Sequence, residues 1–572
     1  SALISRSSLR DTSSVEVAVG PQSTSTGRNA VGGTVRVYTN DPSFDREFAL
    51  RFGALETNSQ TTLSSALMLN TPIVEDQLAF RFTAENSDGT SFVRVVDPAP
   101  LRFDPNEEAY SRYRAKLLYT PLSIPGAEFL LSYDTIDTQG PLAGHISGDP
   151  DDLTIATFTT NSVYEINEQD TMLARAIVPL SNNVTVNARA ARLENSLLFP
   201  DVDTGFGSID VEQKEDEVEV FLLFNDIGIL KQGVIGLIYN EATERQRTSL
   251  DLYSVDGEIE NRALYTELEF DVDSVLGTNG RTLIAGGRYE VADRVSYVAT
   301  AGGVPIASSD LSVEEFLPKF GLRYEARDNL TLGYTYSEGF RPGGVDVDLL
   351  APLFGAPTVV TSLFGPEFLK QHEIYARGRA FDDRVGFTAT AFHYTYEDAQ
   401  VQGASATIDS FGVYQFGNVP EAIGRGIELS FDADVGSGFT LCGSAGYLDT
   451  EITDPGATLA AFQGASLPRA PKRTATLGLS YEGRKFDARA TVNFVNSQTS
   501  ALGQPIIDSS TIVDVSGGYD FEIGNTDARL DLFVTNLFDA RDLTRLDAAG
   551  TPFSQTAVIR PRTIGFTVTT RF

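Results

Sequence analysis

The sequence predicts an all-β fold, and more specifically a transmembrane antiparallel β-barrel. Segments in which apolar and polar residues alternate recur from about residue 46 to the C-terminus. The connections between these segments are tight turns in some places and long polar loops in others. The last segment keeps its alternation up to the final residue, Phe572. A wall that meets lipid on one face and a lumen on the other accounts for all three observations.

The alternating segments are strand signals, because successive side chains of a β-strand point to opposite faces. In one segment Ile427, Leu429 and Phe431 share a face, and Glu428 and Ser430 occupy the other. These runs fit tilted strands that need ~9–11 residues to cross a bilayer. The same period is found in residues 127–134, 184–190, 264–272, 330–336, 488–494 and 530–535.

The C-terminal segment predicts the strand that closes the barrel. Gly565, Thr567 and Thr569 lie on the face that we expect to meet the lumen. The terminal aromatic, Phe572, is expected at the membrane interface and is predicted to act as the signal for barrel assembly. The face that we expect to meet lipid carries Ile564, Phe566, Val568, Thr570 and Phe572.

The lengths of the connections also favour a barrel. Short turns on one rim and long loops on the other are typical of outer-membrane barrels. A soluble, secreted all-β binding protein would alternate too, and it stays as an alternative. It gives no reason for the asymmetry of the connections or for the terminal aromatic. The tight turns are predicted at residues 382–383, 436–438, 482–484 and 524–526, and the long loops at 136–165, 340–368, 401–419, 449–468 and 499–511.

Composition restricts the class of protein further. Hydrophobic residues make up 41% of the 572 residues, and no run approaches the ~18 consecutive apolar residues of a transmembrane helix. The net charge of −34 argues against a nucleic-acid partner, since phosphate groups would be repelled. In a barrel this acidic charge is expected in the lumen and in the external loops. The acidic run Glu212–Glu219 is interpreted as a strand edge that leaves the membrane.

Residues 1–43 differ from the rest of the chain. They predict two short strands, at residues 15–19 and 34–39, joined by a loop rich in glycine and polar residues. Glycines in such a loop suit backbone angles or close approaches that other residues disfavour. The loop is not a phosphate-binding loop, because the lysine and the spacing of that motif are missing.

This segment resembles the C-terminal part of the plug domain of TonB-dependent outer-membrane receptors. The family pattern runs Ile-Glu-Val-Leu-Arg-Gly-Pro-Gln-Gly-Thr, then Gly-Arg-Asn-Ala-x-Gly-Gly, then a strand that ends in Thr-Lys-Asp-Pro. Val19 stands where the family has the arginine before Gly-Pro-Gln. The matching residues are Glu16, Gly20, Pro21, Gln22, Gly27, Arg28, Asn29, Ala30, Gly32, Gly33, Asp41 and Pro42.

The second half of the chain resembles the barrel of the same family. Tyr336–Gly344 is similar to the family's Tyr-Ser-x-Gly-Phe-Arg-x-Gly-Gly, and Asn418–Glu428 is similar to a strand start that reads Asn-x-x-x-Ala-x-x-x-Gly-x-Glu. Further similar segments are Pro366–Glu367, His372–Ile374, Phe392–Tyr394, Leu467–Pro471 and Asn536–Asp539. The resemblance therefore covers essentially the whole chain.

The resemblance implies a 22-stranded barrel, the size of plugged outer-membrane transporters, with residues 1–43 as part of the plug and 44–572 as the barrel. It implies a receptor in the Gram-negative outer membrane that takes up a scarce nutrient, such as a ferric siderophore, cobalamin or a glycan. The implied partners are the TonB–ExbB–ExbD complex, the barrel-assembly machinery, lipopolysaccharide or other outer-membrane lipid, and an unidentified small ligand. No enzymatic activity, catalytic residue, metal site or cofactor is expected.

The resemblance also implies residues that anchor the plug. Plug arginines of the family pair with two barrel glutamates, and the matching positions here are Arg28, Glu373 and Glu428. The alternation of apolar and polar residues independently places Glu428 in the lumen. The alternative to a role in plug anchoring is that Glu428 is a hydrated acid without a partner. The loss of the arginine at Val19 is expected to weaken the anchoring. The plug motif itself consists of Gly20, Pro21, Gln22, Gly27, Asn29, Gly32 and Gly33.

The matched part of the plug is short. The family plug is longer than residues 1–43, and its first half and TonB box have no counterpart in this sequence. If the missing part is present in the cell, uptake should require the proton-motive force. If it is not, a passive or structural barrel with a wide lumen is the alternative function.

Overall fold

A computed structural model describes residues 9–96, 104–141, 144–146, 150–156, 164–200, 208–249, 252–273, 277, 279–350, 358–403, 415–547 and 555–572. Nearly all regular structure in these ranges is β-strand. Two short 3₁₀ turns occur at Ala301–Gly303 and Ala460–Phe462. No helix in the described part of the chain is long and apolar enough to cross a membrane.

The architecture is a closed antiparallel barrel of 22 strands, which confirms the predicted fold class. Each strand pairs with the barrel strand before it and the one after it along the chain, so the sheet is a continuous meander. The barrel closes where Glu47–Thr57 pairs with Thr563–Arg571, in a register that sets Phe52 opposite Val568. The strands are Glu47–Thr57, Gln60–Val74, Leu78–Thr90, Glu107–Tyr119, Glu128–Pro141, Tyr164–Ser181, Val184–Phe199, Ile209–Ile227, Leu230–Thr248, Tyr253–Asp271, Arg281–Thr300, Pro305–Arg327, Leu330–Arg341, Glu367–Ala380, Val385–Gln402, Phe416–Gly436, Phe439–Asp454, Arg473–Glu482, Phe486–Val495, Ser510–Ile523, Thr526–Thr535 and Thr563–Arg571.

Alternation along the strands decides which side chains face lipid. Ile427 and Leu429 are each 52% exposed on the outer wall, as the sequence pattern predicts. On the closing strand Ile564 is 55% exposed, whereas Thr567 is buried and accepts a hydrogen bond from Arg51. An apolar outer face and a polar inner face are what a bilayer and a hydrated lumen require.

The two rims differ as the connection lengths predict. Turns of two to four residues join most strands at one rim, including 182–183, 328–329 and 437–438. The opposite rim carries most of the long connections, and some of these fold into small sheets of their own. Outer-membrane barrels have short periplasmic turns and longer external loops, which assigns the long-loop rim to the outside. The loop strands are Arg94–Val96 with Thr154–Ala156, Gly344–Leu350 with Thr358–Phe364, Gln498–Thr499 with Ile506–Ile507, and Leu543–Asp547 with Gln555–Val558 and His145–Ile146.

Two of the apolar clusters among the described residues lie at the long-loop rim, and a third, formed by Ala292, Leu317 and Phe340, lies on the barrel strands. One cluster includes Phe92, Val93 and Tyr164 and fixes the loops near the start of the barrel. Another includes Val401, Val419 and Ile452 and packs beneath the loop that contains Leu467. The two clusters at the rim give the external loops a defined position, which a binding site on loops needs.

The N-terminal residues form an antiparallel hairpin that is separate from the barrel sheet. Its strands are Thr12–Val19 and Gly33–Thr39, close to the two strands predicted from the sequence. Residues 20–32 form the tip that joins them. We call residues 12–39 the lumenal hairpin, because its side chains and backbone contact the inner faces of many barrel strands.

Candidate functional site

The tip of the lumenal hairpin turns sharply at its first glycine. Gly20 has a φ of +78°, an angle that residues with a side chain rarely adopt. The amide of Gly20 donates to the carbonyl of Gly32 at 3.2 Å, and the amide of Gln22 donates to the carbonyl of Ala30 at 2.8 Å. The plug motif predicted from the sequence therefore shapes a closed loop that points towards the long-loop rim.

Polar side chains of the tip bind two different strands of the barrel wall, Leu330–Arg341 and Tyr253–Asp271. Ser23 donates to the carbonyl of Glu338 at 2.8 Å, and Asn29 donates through Nδ2 to the carbonyl of Phe340 at 2.8 Å. The hydroxyl of Thr24 donates to the carboxylate of Glu267 at 2.6 Å. These hydrogen bonds cross the lumen and hold the tip in one place.

Arg28 makes the ion pairs that link the tip to the wall, but with different acids from those predicted. Its Nε lies 2.5 Å from Oε2 of Glu217, and its Nη2 pairs with Glu215. Partial burial disfavours the charged guanidinium, yet the two carboxylates outweigh this effect and raise the pKa of Arg28. The predicted pairing of Arg28 with Glu373 or Glu428 is therefore wrong.

A chain of ionic contacts continues along the wall from this pair. Arg189 lies 3.2 Å from Oε1 of Glu217 and 2.6 Å from Oε2 of Glu219. The hydroxyl of Tyr265 donates to Glu219 at 2.5 Å. Gly27 packs directly over this carboxylate, and a Cβ at Gly27 would collide with it. The absence of a side chain at Gly27 therefore lets Arg28 approach its acids.

Glu373 and Glu428 lie on the inner wall, away from Arg28. Glu373 accepts a hydrogen bond from Gln371 at 3.2 Å. Glu428 is exposed to the open lumen, and its neighbours Ile427 and Leu429 face outward. Glu428 thus lies on the inner face of its strand, as the alternation of the sequence predicts. Arg28 does not pair with Glu373 or Glu428 because the hairpin tip lies against a different strand, Ile209–Ile227, which carries Glu215 and Glu217.

The other end of the lumenal hairpin is held near the short-turn rim. Asp11 binds Arg81, with its Oδ2 accepting from Nε at 3.0 Å. Asp41 bridges Lys116 at 2.8 Å and Arg175 at 2.6 Å. Burial acts to raise the pKa of Asp41, but the two cations outweigh it and hold the pKa below its ordinary value. Lys116 also donates to the carbonyl of Asn40 at 2.9 Å.

A cavity of about 610 Å³ lies between the hairpin tip and the long loops. Residues 27–32 of the tip form one side, and barrel residues such as Asn240, Tyr396 and Gln400 form the other. Oδ1 of Asn29 is buried there and has no hydrogen-bond partner among the described residues. Within the described ranges, no group of three His, Cys, Asp or Glu side chains is placed to hold a metal ion.

Arginines dominate the charge of this cavity, although the chain is acidic overall. Arg28, Arg288, Arg341 and Arg469 all line it. Arg288 is buried, pairs with Glu290, and donates to the carbonyl of Thr26 at 3.3 Å. Arg341 lies 3.3 Å from Oε1 of Glu367. The cavity therefore presents several N–H donors to any molecule that enters from outside.

Comparison with known proteins identifies the family. A family model described as TonB dependent receptor-like, beta-barrel, matches residues 19–537. The chain belongs to the TonB-dependent receptor family. It is an outer-membrane receptor for active nutrient uptake in a Gram-negative cell, and it is not an enzyme. Membership of this family implies dependence on the TonB complex and binding of a small ligand.

Several known proteins are similar to this receptor over most of its length. The metal-pseudopaline receptor CntO of Pseudomonas aeruginosa (strain UCBPP-PA14) is 24% identical over 586 residues, which cover 92% of this chain and 76% of CntO. The ferric yersiniabactin uptake receptor FyuA from Yersinia pestis superposes with a TM-score of 0.80 at 18% identity, covering 98% of this chain and 85% of FyuA. The siderophore receptor PiuA from Acinetobacter baumannii gives 0.75 at 15% identity, with coverages of 98% and 86%.

The last residue of the sequence, Phe572, lies at the seam where the barrel of this receptor closes. The amide of Phe572 donates to the carbonyl of Phe48 at 2.9 Å, and the two rings pack with centroids 5.6 Å apart. Phe572 is 64% exposed on the outer wall near the short-turn rim. This position suits an interfacial aromatic, and a role for Phe572 in assembly stays a prediction.

Sequence reasoning missed the acids that hold the receptor's Arg28. The interpretation of the run Glu212–Glu219 as a strand edge that leaves the membrane assigns no partner in the lumen to three of its members. Glu215, Glu217 and Glu219 have the same parity and point into the lumen, and Glu217 and Glu219 are buried. Their spacing of two residues is a signal that could have been read as an acidic stripe on one face.

Proposed function

We propose that the receptor binds a metal chelate of the siderophore type in the cavity above the lumenal hairpin. CntO, FyuA and PiuA are each named for a metal chelate or a siderophore, and all three match most of this chain. The polar cavity, with its guanidinium groups, suits a chelate rich in oxygen atoms, and the unpartnered Oδ1 of Asn29 can accept a hydrogen bond from an N–H or O–H group of the same molecule. Cobalamin and glycans, which the sequence left open, have no such support from these relatives.

One observation carries the proposal: the cavity is lined by the hairpin tip and the barrel wall together. A ligand held there contacts both parts at once. Displacement of the hairpin removes one side of the cavity, so the same movement would release the ligand and open a path past it. Residues 1–43 thus act as part of a plug, and residues 44–572 as the barrel.

The TonB–ExbB–ExbD complex is the proposed source of that displacement. Force applied from the periplasm would act on the hairpin from the short-turn rim, where Asp11 pairs with Arg81 and Asp41 with Lys116. The pairs of Arg28 at the tip lie farther from that rim. We expect the base of the hairpin to yield before its tip.

Two further partners are proposed from the outer wall. The closing strand exposes Ile564 and Phe566 beside the terminal Phe572, which supports recognition by the barrel-assembly machinery. The apolar outer face supports contact with lipopolysaccharide and other outer-membrane lipid. Plug anchoring by Arg28 is also a proposal, with Glu215 and Glu217 in place of Glu373 and Glu428.

Uptake of radioactive iron tests the proposal. The complete gene product would be produced in cells that lack other ferric receptors. Iron would be supplied with citrate, desferrioxamine B or 2,3-dihydroxybenzoylserine, which represent three chemical classes of chelator. We expect receptor-dependent entry with at least one of them, and we expect a protonophore to stop it.

The alternative function, a passive barrel, gives a different result in the same assay. Entry would then continue in the presence of the protonophore and would show no preference among the chelates. Failure of all three chelates to enter would contradict the proposed ligand class. Cells with an empty vector provide the background, and equal amounts of folded barrel are verified by its heat-modifiable mobility on gels.

A further inference from the structure

We infer that Arg469 is the residue that recognises the ligand, and that it does so by binding a carboxylate of the metal chelate. This inference rests on the proposed function, because it names the chemistry of the ligand in the same cavity. Arg469 lies in the external loop between Phe439–Asp454 and Arg473–Glu482, within the segment Leu467–Pro471. Arg469 lines the same cavity as the hairpin tip.

The first argument is charge. The other three cavity arginines already have carboxylate partners on the wall: Arg28 with Glu217, Arg288 with Glu290, and Arg341 with Glu367. Within the described residues, Arg469 forms no ion pair. Among the four arginines that line the cavity, Arg469 is thus the one whose charge no described carboxylate neutralises, and it is exposed to a molecule that enters the cavity.

The second argument is backbone conformation. Arg469 has a φ of +54°, in the left-handed region that favours glycine. Most other non-glycine residues with positive φ in the described ranges are Asp or Asn, which tolerate this region more readily. Strained backbone of this kind tends to persist where it positions a functional side chain.

The third argument is orientation. The amide of Arg469 donates to the carbonyl of Thr499 at 2.8 Å, and its Nε donates to the carbonyl of Ser500 at 3.2 Å. Nη2 of Arg469 donates a hydrogen bond to Oε1 of Gln402 at 3.2 Å. A guanidinium has five N–H donors, so the side chain of Arg469 keeps N–H groups that these bonds do not use. The bonds to Ser500 and Gln402 fix the orientation of the guanidinium and therefore the directions of its remaining N–H groups.

The leftover donors favour a carboxylate. A guanidinium presents two parallel N–H bonds that match the two oxygens of a carboxylate, and such pairs are stronger than hydrogen bonds between neutral groups. Asn29 on the facing tip is placed to bind another part of the same ligand. The inferred ligand is thus a metal chelate that keeps at least one anionic carboxylate.

Binding of two iron chelates to the purified chain tests the inference. Ferric citrate carries carboxylates and is anionic, whereas the iron complex of desferrioxamine B is a trihydroxamate without a free carboxylate. We expect wild-type protein to bind ferric citrate, and Arg469→Gln to weaken this binding about tenfold or more. Arg469→Lys should retain part of the affinity, because it keeps the charge without the planar fork.

Two further variants separate recognition from a structural role. Arg484→Gln removes the same charge from an exposed turn at the opposite rim, and its affinity for ferric citrate should equal that of wild type. Arg469→Gly suits the left-handed backbone, so its melting temperature should match or exceed that of wild type while ferric citrate binding is lost. A lower melting temperature with unchanged binding would overturn the inference.

The remaining outcomes are also decisive. Equal affinity of wild type and Arg469→Gln for ferric citrate would overturn the inference. Binding of the trihydroxamate but not of ferric citrate would overturn it as well, while leaving the proposed function in place. A wild-type chain that binds neither chelate would count against both. These results distinguish an error about Arg469 from an error about the receptor's ligand class.

Discussion

Arg28 and Glu217, which are 189 residues apart in the sequence, are joined by an ion pair with Nε and Oε2 at 2.5 Å. Glu217 is buried, and Arg28 is partly exposed because it also lines the cavity. One side chain thus contacts both the barrel wall and the space where we expect the ligand. A buried carboxylate that loses its cation destabilises a structure more than an exposed one does.

Substitution of Arg28 should loosen the lumenal hairpin. In Arg28→Gln, Glu215 and Glu217 lose their shared cation, and we expect a loss of about 1–2 kcal/mol, since Arg28 is partly solvated. The measurement is amide hydrogen exchange of residues 12–39 in the purified receptor. Faster exchange in the hairpin, with unchanged exchange in the barrel strands, is the expected result.

Glu217 and Glu428 form a matched pair for the same assay. Glu217→Gln should accelerate exchange in the hairpin, because it removes one of the acids that bind Arg28. Glu428→Gln should leave exchange at the wild-type rate, since Glu428 faces the open lumen and is not paired with Arg28. The opposite ranking would show that the family's pairing holds in solution and that the pairing described above does not.

Gly27 and Gly32 allow a test based on shape. A Cβ at Gly27 would collide with the carboxylate of Glu219, whereas one at Gly32 would meet no atom within 4 Å. We expect Gly27→Ala to displace the tip and to raise sensitivity of whole cells to vancomycin, which is too large for ordinary porins. Gly32→Ala should behave like wild type. Equal sensitivity of the two variants would contradict the docking of the tip against the wall.

Asp41 should make the base of the hairpin sensitive to acid. Lys116 and Arg175 hold its pKa below the ordinary value of about 4. A group whose pKa is lowered by folding stabilises the fold above its unfolded pKa, and this contribution is lost as the pH falls through the folded pKa. Asp41→Asn should therefore lower the stability of the hairpin by about 1 kcal/mol near neutral pH.

The difference between wild type and Asp41→Asn should be smaller at acid pH than at neutral pH, because the wild-type carboxylate loses its charge as the pH falls through its lowered pKa. Local stability would be taken from hydrogen exchange, corrected for the intrinsic dependence of exchange on pH. A difference of the same size at both pH values would show that Asp41 acts through its shape and not through its charge.

The terminal aromatic should be needed for assembly. In Phe572→Asp a charge replaces the ring that packs on Phe48 at the closing seam. We expect a several-fold lower amount of folded barrel in outer membranes, measured by heat-modifiable mobility. Phe381→Asp places the same charge at an exposed aromatic in a short turn, and it should assemble normally. Normal levels of Phe572→Asp would contradict the predicted role.

The strands of this receptor could be predicted because a bilayer imposes a local rule. Each strand must carry apolar residues on one face, so the pattern around Ile427 or Ile564 is sufficient to assign both the strand and its outward face. Tight turns such as the one at Ser437 follow from residues that accept positive φ. Neither inference requires knowledge of residues that are distant in the sequence.

The contacts across the lumen could not be predicted in the same way. The alternation of side chains along its strand predicts that Glu428 lies inside the barrel. All 22 strands have an inner face, however, and alternation does not indicate which of them the hairpin contacts. The sequence by itself determined the barrel, its outer wall and the glycine-shaped tip, because those depend on local alternation and backbone freedom. Only the tertiary structure decided that Arg28 binds Glu215 and Glu217 and that Arg469 forms no ion pair with any described residue. Those contacts depend on the position of the hairpin within the lumen, and many contacts between residues far apart in the sequence together determine that position.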